Sequence, residues 1–403
     1  MRTRLDGIVL RGAREDDLEQ ILELTAARGG PEDLPEARAA FTHAEGHRQF
    51  YVAYDGDRLA SVLTLWQENI RLGSTRLPAG QMDFVATATD YEHRGLARDL
   101  VTIAHGVSAE RGDILQILVG IPYFYRQFGY RYVLPMPGHY TVRPDTRIDV
   151  PEGITVRDAT KADLDTLESL QDRVQAGAIV AMGHSDATWE WMFSSETVTL
   201  RLAEREGKAI GTARVAPEED DEHRALSEVA TSEVGVVHAL IEDARGASAA
   251  RTVQVTERAD GTVRSALSGL AEHGDSGDEF LLRIPDPVAL LEAVRSELSQ
   301  RLATSPFAKE TGELLISFYS SSAILTYDNG SITGIAPGPA MQGPVHGGGS
   351  GVPPDLVADL VFGPHGAEAL DDLYPDLNLG RRRGLMSVLF PPQSADILTY
   401  YLG

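Results

Sequence analysis

Apolar positions in the first third of the chain change from a continuous run to a helical spacing and back. Residues 82–87, Met-Asp-Phe-Val-Ala-Thr, are apolar enough for a central strand. Leu96, Leu100, Ile103 and Val107 then recur at spacings of four, three and four, which puts them on one face of a helix. Residues 114–119 are almost wholly apolar, as in a strand buried on both faces. Tyr125-Arg-Gln-Phe-Gly-Tyr130 follows as a short helix bearing a tyrosine. Gly95 lies just before the helical spacing begins, and with no side chain it lets the backbone approach a ligand closely. Strand, glycine turn and helix together predict N–H groups presented to an anion such as a pyrophosphate. The phenol some thirty residues later is placed to act as an acid.

The pattern recurs. Residues 8–24 align with residues 154–170 at an offset of 146, each a short strand ending in arginine and then a helix opened by acidic residues. At an offset of 150, residues 50–65, broken at Asp55-Gly56, match residues 200–215, broken at Glu206-Gly207. Each reads as a hairpin. Two matches in order at nearly one offset predict a duplication. The second copy lacks the glycine turn: residues 235–244 read Gly-Val-Val-His-Ala-Leu-Ile-Glu-Asp-Ala. It is expected to keep the fold without the cofactor. Residues 143–153, bounded by turn formers, read as the linker.

From residue 286 the pattern differs again. Residues 288–302 read as one amphipathic helix, 314–318 and 323–327 as strands, and Asp328-Asn-Gly330 as a hairpin turn leading to Ile332. Residues 353–362 and 367–373 read as helices, and the Gly- and Pro-rich stretch 337–351 as a mobile loop. The expected division is 1–145, 150–285 and 286–403, an α+β / α/β chain.

Composition narrows the chemistry. The 403 residues include 60 acidic and 36 basic side chains, a net charge of −24, which argues against nucleic acid or an anionic membrane as partner and suits a cationic substrate. There is no cysteine, so disulfides, thiolate metal sites and a cysteine nucleophile are excluded. The 11 histidines show no paired ligand spacing, and no metal is expected. Residues 1–6 have no apolar core of signal-peptide length and no stretch approaches a membrane span, so the expected location is cytoplasmic. Gly183-His-Ser-Asp-Ala187 lacks the last glycine of a nucleophile elbow. Trp189 and Trp191 read as core or interface, Arg381–Arg383 as a solvated turn or intersubunit contact, and residues 218–222 as an acidic loop.

Residues 92–97, Glu-His-Arg-Gly-Leu-Ala, resemble motif A of the GNAT acetyltransferase superfamily, Gln/Arg-x-x-Gly-x-Gly/Ala. The glycine, the alanine, Arg94 and the strand–turn–helix context fit; Glu92 stands where the family has Gln or Arg, and a carboxylate there repels a pyrophosphate. Two GNAT-like units followed by an α+β tail resemble the Eis (enhanced intracellular survival) acetyltransferases, whose tail resembles a sterol carrier protein. The resemblance implies tandem GNAT folds with mixed sheets flanked by helices. It also implies a hexamer, and acetyl-CoA-dependent N-acetylation of primary amines, of aminoglycoside, polyamine or lysine type.

Amide formation from a thioester needs a neutral amine, donors for the oxyanion and an acid for the thiolate. By the resemblance Tyr125 is that acid. Val85, Ala86 and Thr87 close the strand that splays to hold the pantetheine and thioester. His93, Arg94, Gly95, Leu96, Ala97 and Arg98 form the pyrophosphate turn, and Phe84 floors the acceptor pocket. The base is the C-terminal carboxylate, here on Gly403, with Asp83 the fallback. Tyr123 and Tyr130 read as packing. A non-catalytic acyl-CoA or lipid-binding protein, or a protein N-acetyltransferase, are the alternative readings; Glu92 and the two residues that follow Tyr401, where the family commonly ends in an aromatic, favour the first.

Overall fold

The computed structural model describes residues 2–43, 46–217, 223–246, 252–343 and 348–398. The expectations placed on residues 218–222 and on Gly403 lie outside the described residues, as does part of the 337–351 stretch. The first unit comprises β1 (Arg2–Thr3), β2 (Val9–Gly12), α1 (Leu18–Arg28), α2 (Leu34–Thr42), β3 (Phe50–Asp55), β4 (Arg58–Leu72), β5 (Thr75–Thr87), α3 (Leu96–Arg111), β6 (Leu115–Leu118) and β7 (Arg131–Pro135). The second comprises β8 (His139–Val142), β9 (Ile154–Asp158), α4 (Leu164–Gln175), β10 (Val180–Met182), α5 (Asp186–Ser194), β11 (Thr199–Arg205), β12 (Lys208–Pro217), β13 (His223–Ala230), α6 (Val234–Arg245), β14 (Thr252–Thr256), α7 (Thr262–Leu267), β15 (Glu272–Gly274) and β16 (Glu279–Arg283). The rest comprises α8 (Pro287–Ala293), α9 (Arg295–Ala303), β17 (Thr311–Ser317), β18 (Ser322–Asp328), β19 (Ser331–Gly338), β20 (Ser350–Gly351), α10 (Val357–Phe362), α11 (Gly366–Leu373), α12 (Arg383–Leu389) and β21 (Ala395–Ile397).

The repeat seen in sequence recurs in side-chain detail. Arg11, at the end of β2, grips the Asp17 carboxylate at 2.6 and 2.8 Å, and that carboxylate accepts the N–H of Arg14. Arg157, at the end of β9, does the same to Asp163 at 2.9 and 2.8 Å, and Asp163 accepts the N–H of Thr160. In both units the strand's last arginine thus fixes the acid that opens the next helix. The register slips between Val62 and Thr64 where β4 meets β5, and between Thr212 and Arg214 where β12 meets β13. The extra residues, Phe84 and Glu228, have φ of 46° and 55°.

The boundary expected near residues 145–150 is crossed by three strands, β8, β10 and β16. The first sheet runs β1-β2-β3-β4-β5-β6-β16-β7, and the second runs β15-β8-β14-β13-β12-β11-β9. β16, from the far end of the second unit, inserts between β6 and β7; β8, which follows β7, joins the second sheet between β14 and β15. The first expected range gives β8 to the second sheet and receives β16, with β10 added at the end of β4, so neither of the first two expected ranges holds a complete sheet. β8 and β16 are short, and nothing in their pattern shows which sheet receives them.

One apolar cluster joins Phe50, Trp66 and Phe41 of the first unit to Trp189, Trp191 and Leu202 of the second. The two tryptophans are therefore core between units. The last region packs a four-stranded sheet, β19-β18-β17-β20, into a cluster shared with β4–β7 and β16. Asn329 and Gly330, at φ of 45° and 83°, make the predicted turn between β18 and β19. The single helix expected over 288–302 is two, broken at Val294, which leaves the helical region with ψ of 11°. β21 lies parallel to β10, which pairs with the end of β4. Beside it the buried Arg258–Asp396 ion pair, at 2.8 Å, pins the approach to the C-terminus.

A fragment ending at residue 145 carries β8 without its sheet and lacks β16. It should show no cooperative thermal transition by circular dichroism, where the full chain shows one. A fragment that melts cooperatively as a monomer would mean that the exchange is dispensable.

Candidate active site

β5 and β6 pair in parallel only from Ala79–Leu115 to Gln81–Ile117. Beyond Gln81, β5 continues to Thr87 with its β6-facing edge open, while its other edge stays on β4. The expected splay is present and runs past Val85, Ala86 and Thr87. Ser61 on β4 donates to the Ala86 carbonyl at 2.8 Å and shares a 2.8 Å hydrogen bond with the Thr87 hydroxyl, so these two groups face β4. Phe84, forced to positive φ by the bulge, packs 6.0 Å from the Phe50 ring, which lies 5.9 Å from Trp66.

The chain then turns at His93 (φ 60°) and Gly95 (φ 78°) into α3. Gly95 is the helix N-cap and no side chain caps the turn; the first amide to find an intrahelical acceptor is that of Asp99, on the Gly95 carbonyl. The amides of Leu96, Ala97 and Arg98 are thus those an anion would use. A Cβ built at Gly95 meets nothing within 4 Å. His93, Arg94, Gly95 and Arg98 are exposed, whereas Leu96 turns its side chain into the core and offers only backbone. The buried stripe of α3 is Leu96, Leu100, Val101, Ala104 and Ser108; Ile103 and Val107 of the predicted face are only half-buried.

Glu92 does not threaten this cradle. Arg28, at the end of α1, holds its carboxylate at 2.8 Å. Arg94 lies over the Tyr91 ring at 4.9 Å and reaches Asp6 at 3.2 Å. Arg98 bonds Gln127 and covers the Phe128 ring, tying the helix start to the turn that carries Tyr125.

Tyr125 sits in a 3-10 turn, Phe124–Phe128, at 6% exposure, edge-on to Phe124 and Tyr130. A Cβ at Gly120 would run into the Tyr125 ring, so this glycine shapes the phenol's seat. Tyr130 is packing, its hydroxyl 3.2 Å from His105, but Tyr123 is not: it stands 78% exposed with φ of 70°. Burial raises the Tyr125 pKa well above the ordinary phenol value, and the Asp83 charge raises it further. Asp83 keeps some contact with solvent, but its carboxyl is walled in. Loss of hydration lifts its pKa to about 7 against the Phe84 N–H it accepts at 2.8 Å, with Glu36 and Asp33 adding to the rise.

Asp33 and Glu36 went unremarked in sequence. Glu36 is on α2 and Asp33 just before it, and their signal was the acidic opening Pro31-Glu-Asp-Leu-Pro-Glu36. Glu36 has its own pKa raised, first by burial, with Arg214 of β12 opposing. Glu36 and Asp33 therefore act on Asp83, and Asp83 in turn on the phenol. Among the described residues no cluster suits a metal ion, and no helix is long and apolar enough to cross a membrane.

Residues 9–133 match the family model described as an acetyltransferase (GNAT) domain. None of the curated proteins matches the chain. Among solved structures it is similar to a GCN5-related N-acetyltransferase from Kribbella flavida, at 18% identity and TM-score 0.67 over 98% of both chains. Another GCN5-related N-acetyltransferase, from Anabaena variabilis, aligns over 97% of this chain and 99% of its own, at 16% identity and TM-score 0.68. Eis1 from Mycobacterium abscessus aligns over 96% and 98%, at 14% identity and TM-score 0.61. The splayed strands, helix-start cradle and matched domain make the protein an enzyme, an N-acetyltransferase of the GNAT type. Its chemistry calls for an acyl-CoA cosubstrate and an amine acceptor.

Gly120→Ala should lower the denaturation midpoint, with a cost of about 1–3 kcal/mol for overpacking against the Tyr125 ring. A midpoint equal to wild type would show that the ring is loosely held.

Proposed function

We propose that the enzyme transfers the acetyl group of acetyl-CoA directly to a primary amine of a cationic acceptor, of aminoglycoside, polyamine or lysine type. The observation that carries this reading is the buried Asp83 carboxyl, which acts on the Tyr125 phenol and is itself raised by Glu36 and Asp33. It draws an ammonium to the phenol and leaves a carboxylate able to take its proton. The amides and side chains of residues 93–98 hold the pyrophosphate, and Val85, Ala86 and Thr87 hold the pantetheine arm. Phe84 floors the acceptor side.

The amine nitrogen, once neutral, forms the C–N bond to the thioester carbon; the C–S bond breaks, and the thiolate takes a proton from Tyr125. By the resemblance, the proton lost by nitrogen goes to the carboxylate of Gly403, delivered by the segment that follows β21. Asp83 is the base the described residues supply. A proton arriving on Asp83 would remove the smaller of the two effects that raise the Tyr125 pKa, burial being the larger, and so make the phenol a better acid as the thiolate departs. The Glu92–Arg28 pair withdraws one of the two features that favoured a non-catalytic binding protein. A sterol carrier-like tail and a hexamer belong to this reading too, the latter open to light scattering.

Gly95→Glu sets a bulky anion at φ 78°, where the pyrophosphate is to lie. It should raise the acetyl-CoA dissociation constant by about tenfold or more by calorimetry. Unchanged affinity would remove the cradle from this turn.

CoA release should exceed blank only with amines, and Tyr125→Phe should lower kcat by roughly 10²-fold with cofactor binding intact. If Asp83 is the base it must be ionised, so kcat/KM should rise with pH through about 7. Asp83→Asn should abolish that limb. Appending residues after Gly403 should leave the rate intact in this case and abolish it if the terminal carboxylate is the base. Wild-type rates in Tyr125→Phe would make the phenol structural.

A further inference from the structure

A second cavity, of about 650 Å³, opens between the first and second units, and none of Asp83, Phe84 or Tyr125 lines it. Its walls are the far half of β4, the face of α4, and the turn into α5. Trp66 closes one end, two ring contacts away from Phe84 by way of Phe50.

Glu68 of β4 is only 4% exposed and lines this cavity. Its Oε1 accepts long hydrogen bonds, 3.4 Å each, from the Ser185 and Thr188 hydroxyls; its Oε2 accepts none among the described residues. Burial lifts the Glu68 pKa to about 8, and the two hydroxyls and the more distant Arg111 offset this only in part. A carboxyl with so little access to water, held only by two long hydrogen bonds on one oxygen, is costly unless a cation or a proton joins it.

Glu168 and Asp172 lie one turn apart on α4, and Asp186 opens α5. Like charges at this spacing destabilise a helix. Glu168 feels them: its pKa is raised by burial first, then by Asp186, Asp165 and Asp172. None of Glu168, Asp172 and Asp186 forms an ion pair among the described residues. The cationic side chains on the wall, Arg71 and Arg76, do not relieve them. Arg71 is committed to the carbonyls of Gly73, Gln175 and Ala178, and Arg76 is exposed. His184 is paired to Glu228 at 2.7 Å.

We propose that this cavity is a binding site for a linear polyamine, with one ammonium on Glu68 at its floor and the others on Glu168, Asp172 and Asp186 at its mouth. The volume and the spread of the acids over three elements exceed what one metal ion needs, and no metal cluster occurs among the described residues. The site is separate from the acetylation centre and does not depend on the acceptor assigned above. Since Glu68 is mostly protonated near neutrality, seating an ammonium on it expels a proton, and affinity rises as pH climbs through about 8.

The test is calorimetric titration of the full chain with spermidine at low salt, without acetyl-CoA, in two buffers of different ionisation heat. One saturable spermidine per chain is expected at this cavity, with a heat that differs between buffers. Glu68→Gln mimics the protonated side chain and keeps the fold, but should weaken binding about tenfold or more and abolish the buffer dependence. Glu168→Gln with Asp172→Asn, changes at the rim, should weaken it severalfold and leave the buffer dependence. No saturable heat at millimolar spermidine would overturn the proposal. So would affinity unchanged in Glu68→Gln, or binding lost in Asp83→Asn instead, which would place the ligand at the acetylation centre.

Discussion

β5 and β6 share three paired positions and then part, and the rest of the site depends on that parting. It is built into the backbone. The bulge opposite Leu63 puts Phe84 at φ 46°, a conformation that costs of order 1–3 kcal/mol for a non-glycine residue. The continuous pairing of β5 with β4 on its other edge holds it there. The strand end is thereby turned away from β6, its edge left open, and the following chain brought round to Gly95. A helix of 16 residues, packed along the sheet by Leu96, Leu100 and Ala104, then fixes where its first amides point.

The second constraint is electrostatic. Burial raises the cost of ionising both Asp83 and Tyr125, and the Asp83 charge adds to that of the phenol. A carboxylate near neutrality and a phenol that keeps its proton are the two states that acid–base work at an amine and a thiolate asks for. Glu36 and Asp33 tune the first from α2, and Arg214 reaches in from the second unit to moderate Glu36. The catalytic unit's electrostatics therefore include a buried cation from its diverged copy.

Local order was legible in the sequence; long-range partners were not. The helix over 96–111 and its glycine turn follow from spacing alone, because period and φ are local properties of the chain. The duplication was legible because Arg11–Asp17 and Arg157–Asp163 preserve one strand-to-helix device. The exchange of β8 and β16 was not, since a short strand does not encode which of two similar sheets receives it. Glu92 looked like a defect because its neutralising partner, Arg28, comes from another helix. Tyr123 was misjudged because the backbone beside it, at φ 70°, sends the chain outward where a helical spacing would have sent it in.

The second unit repeats one feature of the first and lacks another. β13 retains the bulge, with Glu228 where the first unit has Phe84. The chain between strand and helix has shrunk from residues 88–95 to residues 231–233, and no glycine turn remains. Glu233, an anion paired with Arg205 at 2.8 Å, occupies the helix cap. The old site is instead a junction: Glu228 is shared between His184 and Arg214, and nearby Arg258 binds Asp396 beside the strand that leads to the C-terminus. Because β16 lies between β6 and β7, the first sheet cannot close without the second unit, whose polar side chains on α4 and at the start of α5 wall the cavity against β4.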